Sequence, residues 1–332
     1  MIANSKFTER ESTTINILKS VAILSVIAAH VVPLVETDTL CFCVSSLWTI
    51  FGHVGVIIFL VVGGFLYTRK EGDNAIFWKK KTFRIFIPWL FCSFLTYLLF
   101  YLLSDQPFSL AAYFKWFLGS GTWYYYATIY TLFIFIFKWF YKNDIILYSL
   151  IGIQTIVFIL KSVGISTTIP LDFFTDYLNP LHWIGYFSIG IIVRKKRLDI
   201  ILRKNNIVII LSAIISIICC LILLRLRIHT YFNLITSIFC ISSSIVILGF
   251  SYWIAKFKVA NHISKAGEYS YCIYLLHMQI VQSICSKIPA GIIQIICSPF
   301  IGLLVMLFLI CIGLWFCKKL PFGDKIKMLV GL

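Results

Sequence analysis

Long apolar runs separated by short polar stretches dominate the 332-residue chain. A helix that crosses a bilayer needs roughly 20 mainly apolar residues. Ten stretches meet or approach that length: about 15–35, 47–67, 84–103, 123–141, 145–161, 178–193, 206–224, 232–255, 269–286 and 291–317. The pattern predicts an all-α, polytopic membrane bundle of about ten transmembrane helices, forming a single domain over residues 1–332. Segment 104–122, with Pro107, Phe108, Tyr113, Phe114 and Trp116, reads as a short amphipathic loop suited to the membrane surface. The first run carries polar residues that a discarded signal peptide would not need, so it reads as a retained span.

Composition narrows the class further. The chain is 60% hydrophobic and 13% charged, where soluble domains are about 25% charged. So little charge cannot cover a globular surface, which excludes a soluble enzyme, a disordered chain and a secreted disulfide scaffold. The formal charge of +16 would suggest nucleic acid in a soluble protein. Here the cations cluster between apolar runs, which points to a lipid bilayer and its anionic headgroups as partner, not nucleic acid. With the N-terminus inside, 23 Lys and Arg fall on the inner segments and five on the outer ones. That asymmetry predicts both termini in the cytoplasm. Most cysteines sit within apolar runs, as Cys219, Cys220 and Cys240 do, where they act as small packers. Cys41 and Cys43 read as an outer loop, too close in sequence to bridge without strain, and no metal-ligand spacing is present.

Ionisable groups within a span are costly and are functional candidates by default. All thirteen Asp and Glu map to tails and loops, which counts against an ion-coupled transporter. The first span holds Lys19 and His30, eleven residues apart and so within about 20° on one helical face, roughly 16 Å apart along the axis. Asn16, Ile23 and Ile27 share the stripe. Lys19 can either snorkel to the headgroups or line a functional cavity. Arg84 opens the third span after Lys79, Lys80 and Lys81, with Pro88 one turn on. This basic run fits either a solvated inner loop or a mouth that holds phosphates. In the ninth span Ser270, Tyr274 and His277 share one side. Trp123 and Tyr124 open the fourth, as an interfacial aromatic belt or as part of a site.

In order along the chain these pieces resemble the acyltransferase 3 family of bacterial integral membrane acyltransferases. The matching stretches are Lys19 through His30, Gly55-Val56 with Phe59 and Gly63-Gly64-Phe65-Leu66, Lys80 with Arg84-Ile85 and Pro88, Trp123-Tyr124, and Ser270-Tyr271 through Tyr274-Leu275 to His277. The resemblance implies a multi-pass protein of the bacterial cytoplasmic (inner) membrane. It would move an acyl group, usually acetyl, from cytoplasmic acyl-CoA to a hydroxyl of a surface polysaccharide or related glycan, without a metal. On this reading Lys19, Arg69, Lys80 and Arg84 hold the donor's phosphates, and His30 is general base or acyl-carrying nucleophile. His277 and Tyr274 position the acceptor or polarise the thioester carbonyl, and Trp123 and Ser270 contact substrate. Two positions depart from the pattern. Lys19 stands where the family has arginine and loses bidentate geometry. Apolar Ile57-Ile58 replaces the usual acid, leaving any base-orienting role to His53, Glu268 or no residue. The alternative class is an exporter or flippase of a polysaccharide or lipid-linked glycan.

Overall fold

The computed structural model describes residues 7–32, 39–67, 74–103, 108–167, 175–285, 287 and 291–332. Among these it is helical, with no strand. In chain order the helices are α1 (Glu9–Val31), α2 (Thr39–Phe65) and α3 (Asn74–Lys81), which runs through a π-helical turn (Thr82–Phe86) into α4 (Ile87–Leu103). Next come α5 (Leu110–Leu118), α6 (Tyr125–Phe140), α7 (Asp144–Ser162) and α8 (Ile184–Lys195). The remainder are α9 (Leu198–Lys204), α10 (Asn206–Arg225), α11 (Leu234–Ile254), α12 (Ala260–Glu268), α13 (Ser270–Cys285), α14 (Ile292–Lys319) and α15 (Gly323–Leu329).

Seven helical stretches are long and apolar enough to cross a membrane: α1, α2, α3 through α4, α7, α10, α11 and α14. The other three expected spans correspond to α6, α8 and α13, which have 16, 12 and 16 residues. Local chemistry explains the shortening. Asn179 caps a 3-10 turn, Pro180–His182, that interrupts the chain ahead of α8. A break at Tyr269 separates α12 from α13. The stretch expected as an amphipathic loop holds a helix, α5. Ser109 caps its start, and Gly119 ends it in the left-handed region (φ 85°). A Cβ on Gly119 would lie 2.0 Å from the backbone nitrogen of Tyr125, so the turn into α6 requires glycine. Cys41 and Cys43, expected in a loop, lie on the first turns of α2, and all eleven cysteines are free.

Burial ranks the helices. In α1, 61% of the apolar stretch is buried, against 17% in α10. Helix α1 packs on α2, α11, α12, α13 and α14, whereas α10 meets mainly α11. A helix covered by protein on most sides can carry polar groups inward, while α10 presents Ile207, Ile210 and Leu211 outward. The most polar span in the sequence is therefore the central one.

Candidate functional site

The start of α1 is fixed by a capping box. The Glu11 backbone N–H donates to the Thr8 hydroxyl (3.3 Å), and the Thr8 N–H donates to the Glu11 carboxylate (2.9 Å). Along α1, Ser25 donates to the Phe51 carbonyl (2.6 Å) and accepts the Gly55 N–H (2.9 Å). A Cβ on Gly55 would stand 2.4 Å from the Ala22 carbonyl oxygen, so this motif glycine is the α1–α2 crossing point. On another side Ser20 donates to the Ile263 carbonyl of α12 (2.6 Å). A Cβ on Gly267 would meet the Asn16 oxygen at 1.8 Å. Clamped at both places, α1 holds Lys19 and His30 in fixed positions.

The outer of these two residues meets α13. The rings of His30 and His277 lie 5.3 Å apart between centroids, tilted by 46°. His277 is fully buried and His30 half-buried. Nδ1 of His277 is 2.8 Å from the Tyr274 carbonyl oxygen. A carbonyl only accepts, so Nδ1 carries the proton and Nε2 presents a lone pair. That Nε2 is buried without a hydrogen-bond partner. The sequence left the base-orienting role to His53, Glu268 or no residue. His53 stacks against Tyr231 (4.2 Å) and Glu268 sits beside Asn16; neither bonds the histidine pair.

Trp123, Tyr124 and Tyr274 form a reciprocal clamp between the start of α6 and α13. The Trp123 indole and the Tyr124 hydroxyl both donate to the Leu275 carbonyl (3.4 and 2.9 Å), while the Tyr274 hydroxyl donates to the Trp123 carbonyl. Trp123 is buried and lies edge-on to His277 at 6.3 Å, so it is part of the histidine pocket and not of an interfacial belt. Two of the expected substrate-contacting residues have hydrogen-bond partners within the protein. The Tyr274 hydroxyl donates to a backbone carbonyl. Ser270 likewise donates to Gly267 (2.8 Å) and serves the start of α13.

At the other end of α1 a cavity of about 660 Å³ opens, within the size range of small-molecule sites. Lys19, Arg84 and Glu268 supply its charge. Asn16 donates to Glu268 (3.4 Å), and Lys19 and Glu268 both line the cavity. Arg84 reaches the cavity from the π-helical turn. Pro88 has no N–H to bond the Arg84 carbonyl, so the turn widens and Ile87 donates to Thr82 instead. The Ile85 carbonyl accepts from the Tyr271 hydroxyl (2.8 Å), which ties the turn to α13. Arg84 is an exposed residue of this turn, within the apolar stretch that runs from α3 into α4. Lys80 is exposed on α3 and is not a lining residue of the cavity. Arg69 falls outside the described residues.

The sequence reading missed most of the apolar wall. Tyr126 and Tyr130, one turn apart on α6, line the cavity and stack on each other at 5.8 Å. Their i, i+4 spacing was visible in the sequence, but nothing there indicated which face was inward. Met328, Gly331 and Leu332 close another side. Tyr274 lies at the inner boundary, with the Tyr126 ring at 5.2 Å, and His277 is one turn beyond it. The cavity and the histidine pair are thus neighbours separated by aromatic rings.

No group of three or more His, Cys, Asp or Glu side chains suited to a metal occurs among the described residues. No curated protein and no solved structure matches the chain. An acyltransferase-domain family model matches residues 13–318, which takes in Lys19, Arg84, both histidines and the cavity wall apart from Met328, Gly331 and Leu332. By this match, along nearly its whole length, the chain belongs to the acyltransferase 3 family.

Proposed function

We propose that this membrane acyltransferase carries an acyl group, acetyl in the simplest case, from cytoplasmic acyl-CoA to a glycan hydroxyl on the outer side of a bacterial inner membrane. The proposal includes ten crossings with both termini inside, the short helices α6, α8 and α13 spanning under cover of their neighbours. Lys19 and Arg84 hold donor phosphates at the mouth of the cavity, with Arg69 and Lys80 as further cations nearby in sequence. The acyl-pantetheine arm passes the ring boundary at Tyr126 and Tyr274 to reach the histidines. His30 takes the proton of the acceptor hydroxyl as that oxygen forms a bond to the acyl carbon. The carbon–sulfur bond breaks, and the proton goes to the departing thiolate, giving an ester and CoA. The free lone pair of His277, oriented through Tyr274, stabilises the His30 imidazolium. This is the base-plus-orienter arrangement with a carbonyl at its far end. Trp123 shapes the pocket around the reacting groups.

The observation that carries this reading is the His30–His277 pair beside a cationic cavity, with the buried Nε2 of His277 left open. Membranes containing the protein, given labelled acetyl-CoA and glycan acceptor, should transfer label. His30→Ala and His277→Ala should each lower transfer by about 10²–10⁴-fold, the range for losing acid–base catalysis, with normal amounts of protein in the membrane. Undiminished glycan acylation in both variants would refute the assignment. No transfer by the wild type, together with blocked glycan export in a deletion strain, would favour the exporter class.

A further inference from the structure

A second recess, of about 520 Å³, lies apart from the cavity described above and shares no lining residue with it. It is framed by the start of α1, the α9–α10 junction and the end of α11. Four cations line it: Arg10, Arg203, Lys204 and Lys256. Arg203 is 9% exposed and binds Glu11 (2.7 Å) and Asp199 (3.7 Å). Arg10 lies 3.8 Å over the Tyr252 ring and donates to the Tyr252 carbonyl (3.1 Å). Among the described residues Arg10, Lys204 and Lys256 pair with no carboxylate. The two acids at hand are both taken by Arg203, so four cations face two carboxylates and two positive charges remain in excess. The Nε–H groups of Arg10 and Arg203 are buried and have no acceptor. An unsatisfied buried donor on a guanidinium is costly, and an anionic oxygen is the group that would satisfy it.

The remaining wall is apolar. Gly249 of α11 sits on Ile209 of α10, where an added Cβ would lie 2.5 Å from the isoleucine Cδ1. Phe250 and Trp253 are about half exposed, and the outward face of α10 continues the apolar surface through Ile210. A soluble anion would use the cations and leave this surface bare. An amphiphile with an anionic head uses both.

We propose that this recess binds the phosphate headgroup of an anionic phospholipid, whose acyl chains lie along α10 and α11. Arg10 and Arg203 supply the buried donors, Lys204 and Lys256 the flanking charge, and Trp253 and Phe250 the interfacial aromatic contact. The bound lipid steadies the first turns of α1, the helix that carries Lys19 and His30. The inference is independent of the reaction proposed above.

The test uses the purified full-length chain in neutral detergent. Thermal unfolding is followed on titration with phosphatidylglycerol, phosphatidylcholine or inorganic phosphate. Phosphatidylglycerol should raise the unfolding temperature, and the other two should not. In the R10Q/K204Q/K256Q variant the apparent affinity for phosphatidylglycerol should fall roughly 100-fold, following about 1 kcal/mol per removed surface cation. If the loss of Arg10 prevents folding, the K204Q/K256Q variant, which changes only exposed side chains, should still lose roughly 25-fold. Equal stabilisation by phosphatidylcholine or inorganic phosphate would overturn the proposal. So would an unchanged phosphatidylglycerol response in these variants.

Discussion

A backbone carbonyl decides the chemistry that His277 can offer. With the proton held on Nδ1 by Tyr274, the ring presents an acceptor at Nε2 and cannot donate a hydrogen bond there while neutral. His277 is therefore suited to steady a positively charged neighbour and unsuited to hold an oxyanion. Substitution by glutamine tests this, since its side-chain carbonyl keeps an acceptor that alanine lacks. His277→Gln should retain more transfer than His277→Ala at equal protein levels. Lys19 shares the cavity wall with Glu268, which accepts a hydrogen bond from Asn16. Lys19→Met removes one charge-assisted contact, worth about 1.5–3 kcal/mol. It should raise the donor KM by roughly 10–100-fold while kcat changes little, as read from initial rates against acyl-CoA concentration.

At the scale of elements, glycines set how closely helices approach. On α2 a Cβ at Gly64 would lie 2.1 Å from the Phe187 carbonyl oxygen, and on α8 one at Gly190 would lie 2.0 Å from that of Val61. The two backbones are in direct contact at this crossing, as small residues allow within membranes. Gly190→Leu should force α8 away from α2 and lower the unfolding temperature in detergent. Gly152→Leu, at a glycine with open space around it, should not. The π-helical turn is a second element-scale device. Restoring the N–H with Pro88→Ala lets the helix regain a bond to the Arg84 carbonyl and tighten. Arg84 then leaves the cavity, and donor KM should rise several-fold with kcat little altered.

For the whole molecule, the polar central helix is paired with apolar outer ones, so the histidine pair sits where protein replaces lipid. Asp144 pairs with Lys195 and Lys196, and Asp324 with Lys327 (2.8 Å). The Lys327 ammonium holds the Asp324 carboxyl below its usual range. A lowered folded-state value makes this contribution present above the ordinary aspartate range and lost as the pH falls through the lowered one. Both groups are exposed, so the effect on stability is small. Topology is the larger test. A reporter active only in the cytoplasm should work when fused after Lys196 and fail when fused after Gly164. The reverse result would invert the orientation on which donor access from the cytoplasm depends.

The sequence by itself determined the class of molecule and the identity of its unusual residues. A chain this apolar has to fold in lipid, and α-helices satisfy their own backbone hydrogen bonds there. Periodicity alone places Lys19 and His30 on one stripe, and Ser270, Tyr274 and His277 on another. Local grammar such as Pro88 one turn after Arg84 was equally readable, because its partners lie within a turn of each other. Tertiary structure decided which stripes meet. It brought His30 to His277, gave the Tyr274 hydroxyl to Trp123, kept Lys80 out of the cavity that Arg84 enters, and assembled the second cationic recess from three distant segments. Those outcomes depend on crossing points such as Gly55 against Ala22 and Gly267 against Asn16. The backbone oxygens that accept hydrogen bonds at such crossings are present at every residue, so no side-chain pattern announces which of them is used.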